Sequence, residues 1–268
     1  VRSIVLVKLG GSLITDKRRP GIARRDVIRR LAREIAAIAR RRKGARMVIG
    51  HGSGSFGHVA ASEGGLATRA DGPGARAQGI ARTQHRAADL HAIVVGALEA
   101  AGARPFSLAP SSFMTCVGGR VAKIFADPLF QALDLGLVPV VYGDVVLDRA
   151  RGASIVSTEE VLVALAGEAA GRRVSIVRAV WLGETDGVYA GDGSTVARLT
   201  AAEAVRRART VTGASGTDVT GGMALRLRTA ADLARGGVPS FIVDGRPPGV
   251  LGRAAAGRAS GGTRVTAS

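Results

Sequence analysis

The sequence predicts an α/β protein with a mainly parallel central sheet covered by helices on both faces. Three observations lead there. Aliphatic strand-like runs alternate with helix-period segments along the whole chain. The composition is 46% hydrophobic but only 3% aromatic, so the core must be Val, Leu, Ile and Ala, as buried parallel strands prefer. Glycine clusters stand just after three of the strand-like runs, as ligand loops do at the carboxyl ends of parallel strands. At 268 residues the chain can form one large α/β domain or two lobes sharing a core.

Ile4 to Leu9 is an apolar run broken only by Lys8 and followed by Gly10-Gly11-Ser12, a buried strand ending in a glycine turn. From Asp26 to Arg42, Val27, Leu31, Ile35 and Ile38 recur at helical spacing with arginines on the other faces. Met47 to Ile49 is a second strand, leading into His51-Gly52-Ser53-Gly54-Ser55-Phe56-Gly57-His58. Glu63 to Gly79 reads as a long loop or lid, and a helix follows from about Ile80 to Ala100. Pro105 to Leu108 is a short strand, Asp127 to Leu135 a helix, and Val138 to Val146 a strand interrupted at Gly143-Asp144. Glu159 to Ala170 is helical, and Val174 to Leu182 is a strand running into Glu184-Thr185-Asp186-Gly187-Val188-Tyr189. A turn-rich stretch comes next, then Gly213 to Met223, a helix to about Arg235 and a strand at Ser240 to Val243. Gly252 to Gly262 reads as a surface loop and Thr263 to Val265 as a last edge strand.

No apolar run approaches the roughly 18 residues that cross a bilayer, and Val1 stands directly on a strand-like segment. The one cysteine, Cys116, allows no intrachain disulfide and points to a reducing, cytoplasmic setting. A formal charge of +17 raises nucleic acid as a partner. The excess is scattered arginine on helix faces such as Arg29, Arg30 and Arg33, without interleaved aromatics, so nucleic-acid binding is set aside as the main function.

Only Lys8, Lys17, Lys43 and Lys123 are lysines. Two of them flank the first glycine pair, where a compact point charge fits and a planar guanidinium does not. Gly10-Gly11, Gly52 to Gly57 and Gly221-Gly222 each let backbone N–H groups approach an anion, although no P-loop or dinucleotide fingerprint is present. Together with Lys8 and Lys17 they make a phosphate site. His58 closes the second loop, where an imidazole can donate to a phosphate oxygen; His51, His85 and His91 have no such setting and are read as structural.

Lys8 to Lys17, His51 to His58, Pro139 to Val145, Thr185 to Tyr189 and Asp218 to Met223 together resemble isopentenyl phosphate kinases of the amino-acid-kinase superfamily, and Gly262 to Thr266 is similar too. The resemblance spans essentially the full chain. It implies a three-layer αβα amino-acid-kinase fold as a single domain over residues 1–268. The acceptor half is expected at about 1–150 and the nucleotide half at 151–268. It also implies a homodimer, ATP with Mg²⁺, and isopentenyl phosphate as the acceptor for isoprenoid synthesis. By resemblance, Lys8 and Lys17 contact the transferring phosphate and His58 the acceptor phosphate. Ser53, Gly54, Gly143 and Asp144 line the acceptor site. Gly10, Gly11, Ser12, Gly54, Glu184, Asp186, Gly187, Tyr189, Gly221 and Gly222 join Lys8 around the nucleotide. Ile80 and Gln84 are expected near the alkyl tail.

Three departures fall in the nucleotide half: Arg226 stands where the family has lysine, Ser157-Thr158-Glu159 where it reads Ser-Gly-Asp, and Glu184 where it has aspartate. Arg226 is expected to reach the nucleotide phosphates. Two other readings stay open on sequence alone: a fosfomycin-type kinase of the same fold, and a non-catalytic phosphate-ligand or RNA-associated basic protein.

Overall fold

The computed structural model describes residues 2–16, 18–41, 46–57, 73–172, 174–210 and 222–268. Eight strands form the main sheet in the order β10-β12-β11-β9-β1-β2-β6-β3. They are β1 (Arg2–Leu9), β2 (Arg46–His51), β3 (Pro105–Ser107), β6 (Val138–Tyr142), β9 (Val174–Gly183), β10 (Arg198–Thr200), β11 (Ser240–Asp244) and β12 (Thr263–Thr266). Only β11 and β12 pair antiparallel; the other pairings are parallel. The predicted fold class is the observed one.

Alternation along β1 divides the core into two layers. Ile4 and Leu6 pack with Val161, Leu162 and Leu165 of the helix Thr158–Ala170 and with Leu227 and Ala230 of the helix Gly222–Arg235. Val5, Val7 and Leu9 face the other way, onto the helices Arg25–Ala39 and Pro73–Ala100. Ile28, Leu31, Ala32, Ile35 and Ala36 repeat at three- and four-residue steps, so Arg25–Ala39 lays one stripe on the sheet. The helix Thr158–Ala170 begins on a capping box: Ser157 Oγ accepts from Glu160 N–H, and Glu160 accepts from Ser157 N–H at 2.8 Å.

A second sheet, β5-β4-β7-β8, joins Met114–Val117 (β4), Arg120–Ile124 (β5), Asp144–Asp148 (β7) and Gly152–Val156 (β8). The single interrupted strand expected over 138–146 is therefore two strands in different sheets, separated at Gly143. Four further expectations are corrected. Residues 73–79, read as loop, open the long helix, because Pro73 has its φ preset for a first turn. The turn-rich stretch holds β10 and the helix Ala201–Thr210, started by a second capping box in which Glu203 accepts from Thr200 N–H and donates its own N–H to Thr200 Oγ1. β12 lies between β10 and β11, not at the edge. Part of the expected loop at 252–262 is the helix Val250–Ala255. Most of the expected lid, residues 63–72, lies outside the described residues.

Candidate active site

Since β11, β9, β1, β2 and β6 are parallel neighbours, the loops after them open at one edge of the sheet in the same order. Glu184 follows β9, Gly10 follows β1, Gly52 follows β2 and Gly143 follows β6. The loop of β1 is thus central, with the β9 loop on one side and the β2 and β6 loops on the other.

The first two glycine loops touch backbone to backbone. A Cβ at Gly11 would fall 2.7 Å from Gly54 Cα, and Gly54 itself has φ +51°, with Thr15 Oγ1 only 2.2 Å from where its Cβ would stand. Both positions therefore need glycine for contact, and Gly54 for its conformation as well. Thr15 is fully buried and ties the loops together: its hydroxyl donates to Gly11 O at 2.8 Å and accepts from Ser55 N–H at 3.0 Å. Thr15 lies inside the Lys8 to Lys17 run, yet nothing in that run marks it as the bridge.

Lys8 shares the parity of Ile4 and Leu6, so its side chain lies in the layer of the helix Thr158–Ala170. There its ammonium pairs with the Glu159 carboxylate, both groups more than nine-tenths buried. Burial alone would push the Glu159 carboxyl up; Lys8 and then Arg226 outweigh it, and the group stays below its ordinary range. Arg226 is buried on the same side, and a Cβ added at Gly183 would meet its Nη1 at 3.0 Å. One carboxylate thus pairs with one cation and feels a second at the carboxyl end of the central strands. Arg226 Nε and Thr185 Oγ1 are buried without a partner among the described residues, donors fit for an anion.

The other expected site residues are spread around this centre. Ser12 and Gly222 are half-buried at their helix starts. Ser53, Gly54 and Gly143 are half-buried on the β2 and β6 loops. Asp144 is buried, its carboxylate taken by Ser111 N–H at 3.0 Å and Val145 N–H at 2.8 Å, so it braces the Gly143 turn. Glu184 pairs with Arg24 at 2.6 Å. Asp186 is exposed and accepts from Tyr189 and Thr195, which hold its carboxyl low. Gly187 is wedged so that a Cβ would meet Thr263 Oγ1 at 2.7 Å. Ile80 is half-buried, and the exposed Gln84 donates to Ser111 Oγ at 2.9 Å. Lys17, His58 and Gly221 lie outside the described residues.

The sequence model of the amino acid kinase family matches residues 3–244. The chain belongs to that family. Isopentenyl phosphate kinase of Methanothermobacter thermautotrophicus is 33% identical over 273 residues, covering 98% of this chain and 99% of the relative. The isopentenyl phosphate kinase of Haloferax volcanii is 34% identical over 245 residues, 90% and 91% of the two chains. A solved isopentenyl phosphate kinase superposes with a TM-score of 0.79 at 30% identity, over 97% of this chain and 99% of its own.

On this kinase fold two residues read as merely structural form a buried pair beside the second glycine loop. His51 Nε2 and His91 Nδ1 are 2.9 Å apart, with the Tyr142 ring stacked on His51 at 5.7 Å and tilted onto His91 at 4.3 Å. Desolvation by burial lowers His51 to about 3 and His91 to about 4. For bases held below their unfolded value of about 6.5, the stability contribution is full above that value and is lost as pH falls toward the folded values. Lowering the pH from about 7 to about 5 should therefore cost about 2 kcal/mol for each ring. Urea midpoints at the two pH values check this; replacing both histidines with asparagine should flatten the dependence.

The pair escaped the sequence because its members are forty positions apart and meet only through the facing of the long helix. Glu159 escaped as an ion-pair partner for the same reason. Thr158 carries no signal in the sequence either: its hydroxyl donates to His51 O at 2.6 Å, holding the capped helix start against β2.

Proposed function

We propose that the chain transfers the terminal phosphoryl group of ATP to isopentenyl phosphate, giving isopentenyl diphosphate and ADP. The observation that carries this reading is the place of Lys8, a buried cation on the central strand between two sets of anion-suited loops, in a chain matched end to end by isopentenyl phosphate kinases.

A phosphate monoester has a second pKa of about 6, so at neutral pH it is already a nucleophile and needs no general base. One of its oxygens attacks the terminal phosphorus, and the bond to the bridging oxygen of ADP breaks. The protein's task is to hold two anions in line and to balance charge on the moving group. Lys8 supplies that charge in this reading, with Glu159 fixing its direction. The Gly52 to Gly54 loop, Gly143 and His58 take the acceptor phosphate. Gly10, Gly11, Ser12, Asp186, Gly187, Tyr189, Gly221, Gly222 and Arg226 take the nucleotide, and Lys17 joins Lys8 at the transferring group. The division into an acceptor half at 1–150 and a nucleotide half at 151–268 follows the same assignment.

Mg²⁺ accompanies ATP in this reading. No group of three or more metal-ligating side chains gathers among the described residues, which suits an ion that takes most of its ligands from phosphate oxygens and water. Asp186, exposed in the loop after β9, is the carboxylate that would hold it; when bound it would neutralise phosphate charge. The homodimer and the cytoplasmic setting rest on the resemblance and the single cysteine. Against nucleic acid as a partner stand the arginines spent on local carboxylates, such as Arg24 on Glu184 and Arg246 on Asp244.

Coupled ADP release across isopentenyl phosphate, dimethylallyl phosphate, geranyl phosphate and fosfomycin tests the acceptor. Isopentenyl phosphate is expected to give the highest kcat/KM; fosfomycin in first place would overturn the assignment. Arg226→Ala is expected to weaken ATP binding by about tenfold or more, with Arg226→Lys losing less. ATP titrations at two salt concentrations check this, and equal binding by Ala and Arg would remove Arg226 from the nucleotide site.

A further inference from the structure

The histidine pair is one end of a hydrogen-bond chain whose direction can be worked out atom by atom. His51 Nδ1 lies 3.2 Å from Gly52 O. A carbonyl oxygen only accepts, so Nδ1 carries the proton. A neutral ring then has a bare Nε2, which must accept from His91 Nδ1–H. His91 Nε2 is bare in turn and accepts from the Ser107 hydroxyl at 2.7 Å. The chain therefore runs one way, from Ser107 at the sheet edge, through both rings, to the carbonyl of Gly52. Tyr142 covers both rings and restrains them from turning over.

That carbonyl belongs to the peptide joining Gly52 to Ser53. The described peptides are trans, and in a trans peptide the carbonyl and the following N–H point to opposite sides. With Gly52 O held toward the buried rings, Ser53 N–H faces away from them, on the side of the loops. Glycine makes this peptide easy to flip. A side chain that stiffened Gly52 would bring a Cβ to 3.0 Å from Gly11 N, a tight approach. A flip would replace a donor by an acceptor and turn an attractive dipole on a phosphate into a repulsive one.

We propose that His51 and His91 are positioning residues for the acceptor phosphate, holding the Gly52–Ser53 peptide with its N–H toward the crevice. This rests on the reading above that the Gly52 to Gly54 loop takes that phosphate. His51 sets the peptide directly, and His91 acts through it by fixing which ring nitrogen carries the proton. Without His91, the other tautomer of His51 would aim a lone pair at Gly52 O and favour the flip. The ionisable groups facing His51 are His91, Tyr142 and Lys8.

An asparagine at position 51 can place its amide N–H near the position of Nδ1, whereas a glutamine amide reaches the position of Nε2 and leaves Gly52 O unpaired. His51→Gln, His51→Leu and His91→Leu are expected to raise acceptor KM by about tenfold, with kcat and ATP KM little changed, and His51→Asn to stay within a factor of about three of the parent. The two leucine changes should be far from additive when combined. Equal acceptor KM for His51→Asn and His51→Gln would overturn the proposal, and that comparison decides it even if the leucine proteins fail to fold. A second readout is independent of turnover. Titrating inorganic phosphate should shift the Ser53 amide resonance in the parent and in His51→Asn but not in His51→Gln. Should the parent form no isopentenyl diphosphate yet show this pattern, the acceptor assignment fails and the positioning role stands; the same shift in all three proteins refutes the role.

Discussion

Replacing Lys8 with alanine lowers kcat by about 10²–10³-fold, while the dissociation constant for ATP changes far less. The expectation follows from where the charge sits. Lys8 lies on the central strand and is held by Glu159 in a buried layer, so its ammonium does not reorganise when the phosphoryl group moves. A preorganised charge in a dry site acts most strongly on charge that develops during the reaction. On the proposed assignment, ground-state ATP is held by many other donors. Initial-rate kinetics and calorimetry separate the two quantities. Normal kcat with weakened ATP binding would make Lys8 a nucleotide-binding residue only. Since the change also strips Glu159 of a partner, Lys8→Ala with Glu159→Gln is the matching control: it should regain stability without regaining kcat.

Glu159→Gln is expected to be the more damaging change for the fold. It removes the carboxylate that Lys8 pairs with in a buried layer, and with it the negative charge that Arg226 also feels. Breaking a buried ion pair from one side costs about 3–5 kcal/mol, which for a chain of this size lowers Tm by roughly 10 °C. Glu159 is held below its unfolded value, so its contribution is present above that value and lost as pH falls through the folded one. The parent should therefore lose its advantage over Glu159→Gln in acid. Scanning calorimetry at neutral pH and at a series of pH values descending from about 4 measures both parts. A Tm within about 2 °C of the parent at neutral pH would show that the Lys8–Glu159 pair contributes little to stability.

Most of the fold and part of the site were legible in the chain. The positions of β1, β2, β6, β9 and β11 along the chain could be read because each is an aliphatic run ending in a glycine or acidic turn, but their order in the sheet could not. Lys8 could be read because it is one of only four lysines and stands beside the first glycine pair. The second sheet could not: β5 is exposed or half-exposed at every position, so it carries no burial pattern. The capping box at Thr200 is masked by a stretch that otherwise looks like turns. Glu159 looks in the sequence like a departure from a family pattern, and its partner is the buried Lys8, with Arg226 adding positive charge to its surroundings. The histidines could not be paired from sequence, since contact between residues 51 and 91 depends on the register of a long helix over the sheet.

The most direct test of the central claim follows the phosphoryl group itself. ATP carrying a radiolabel in its terminal phosphate is incubated with the folded protein, Mg²⁺ and isopentenyl phosphate, and the products are separated. The label is expected in isopentenyl diphosphate, in amounts equal to the ADP formed and only when the acceptor is present. Label released as inorganic phosphate, or left in ATP while the acceptor is unchanged, would contradict the assignment of this chain as an isopentenyl phosphate kinase.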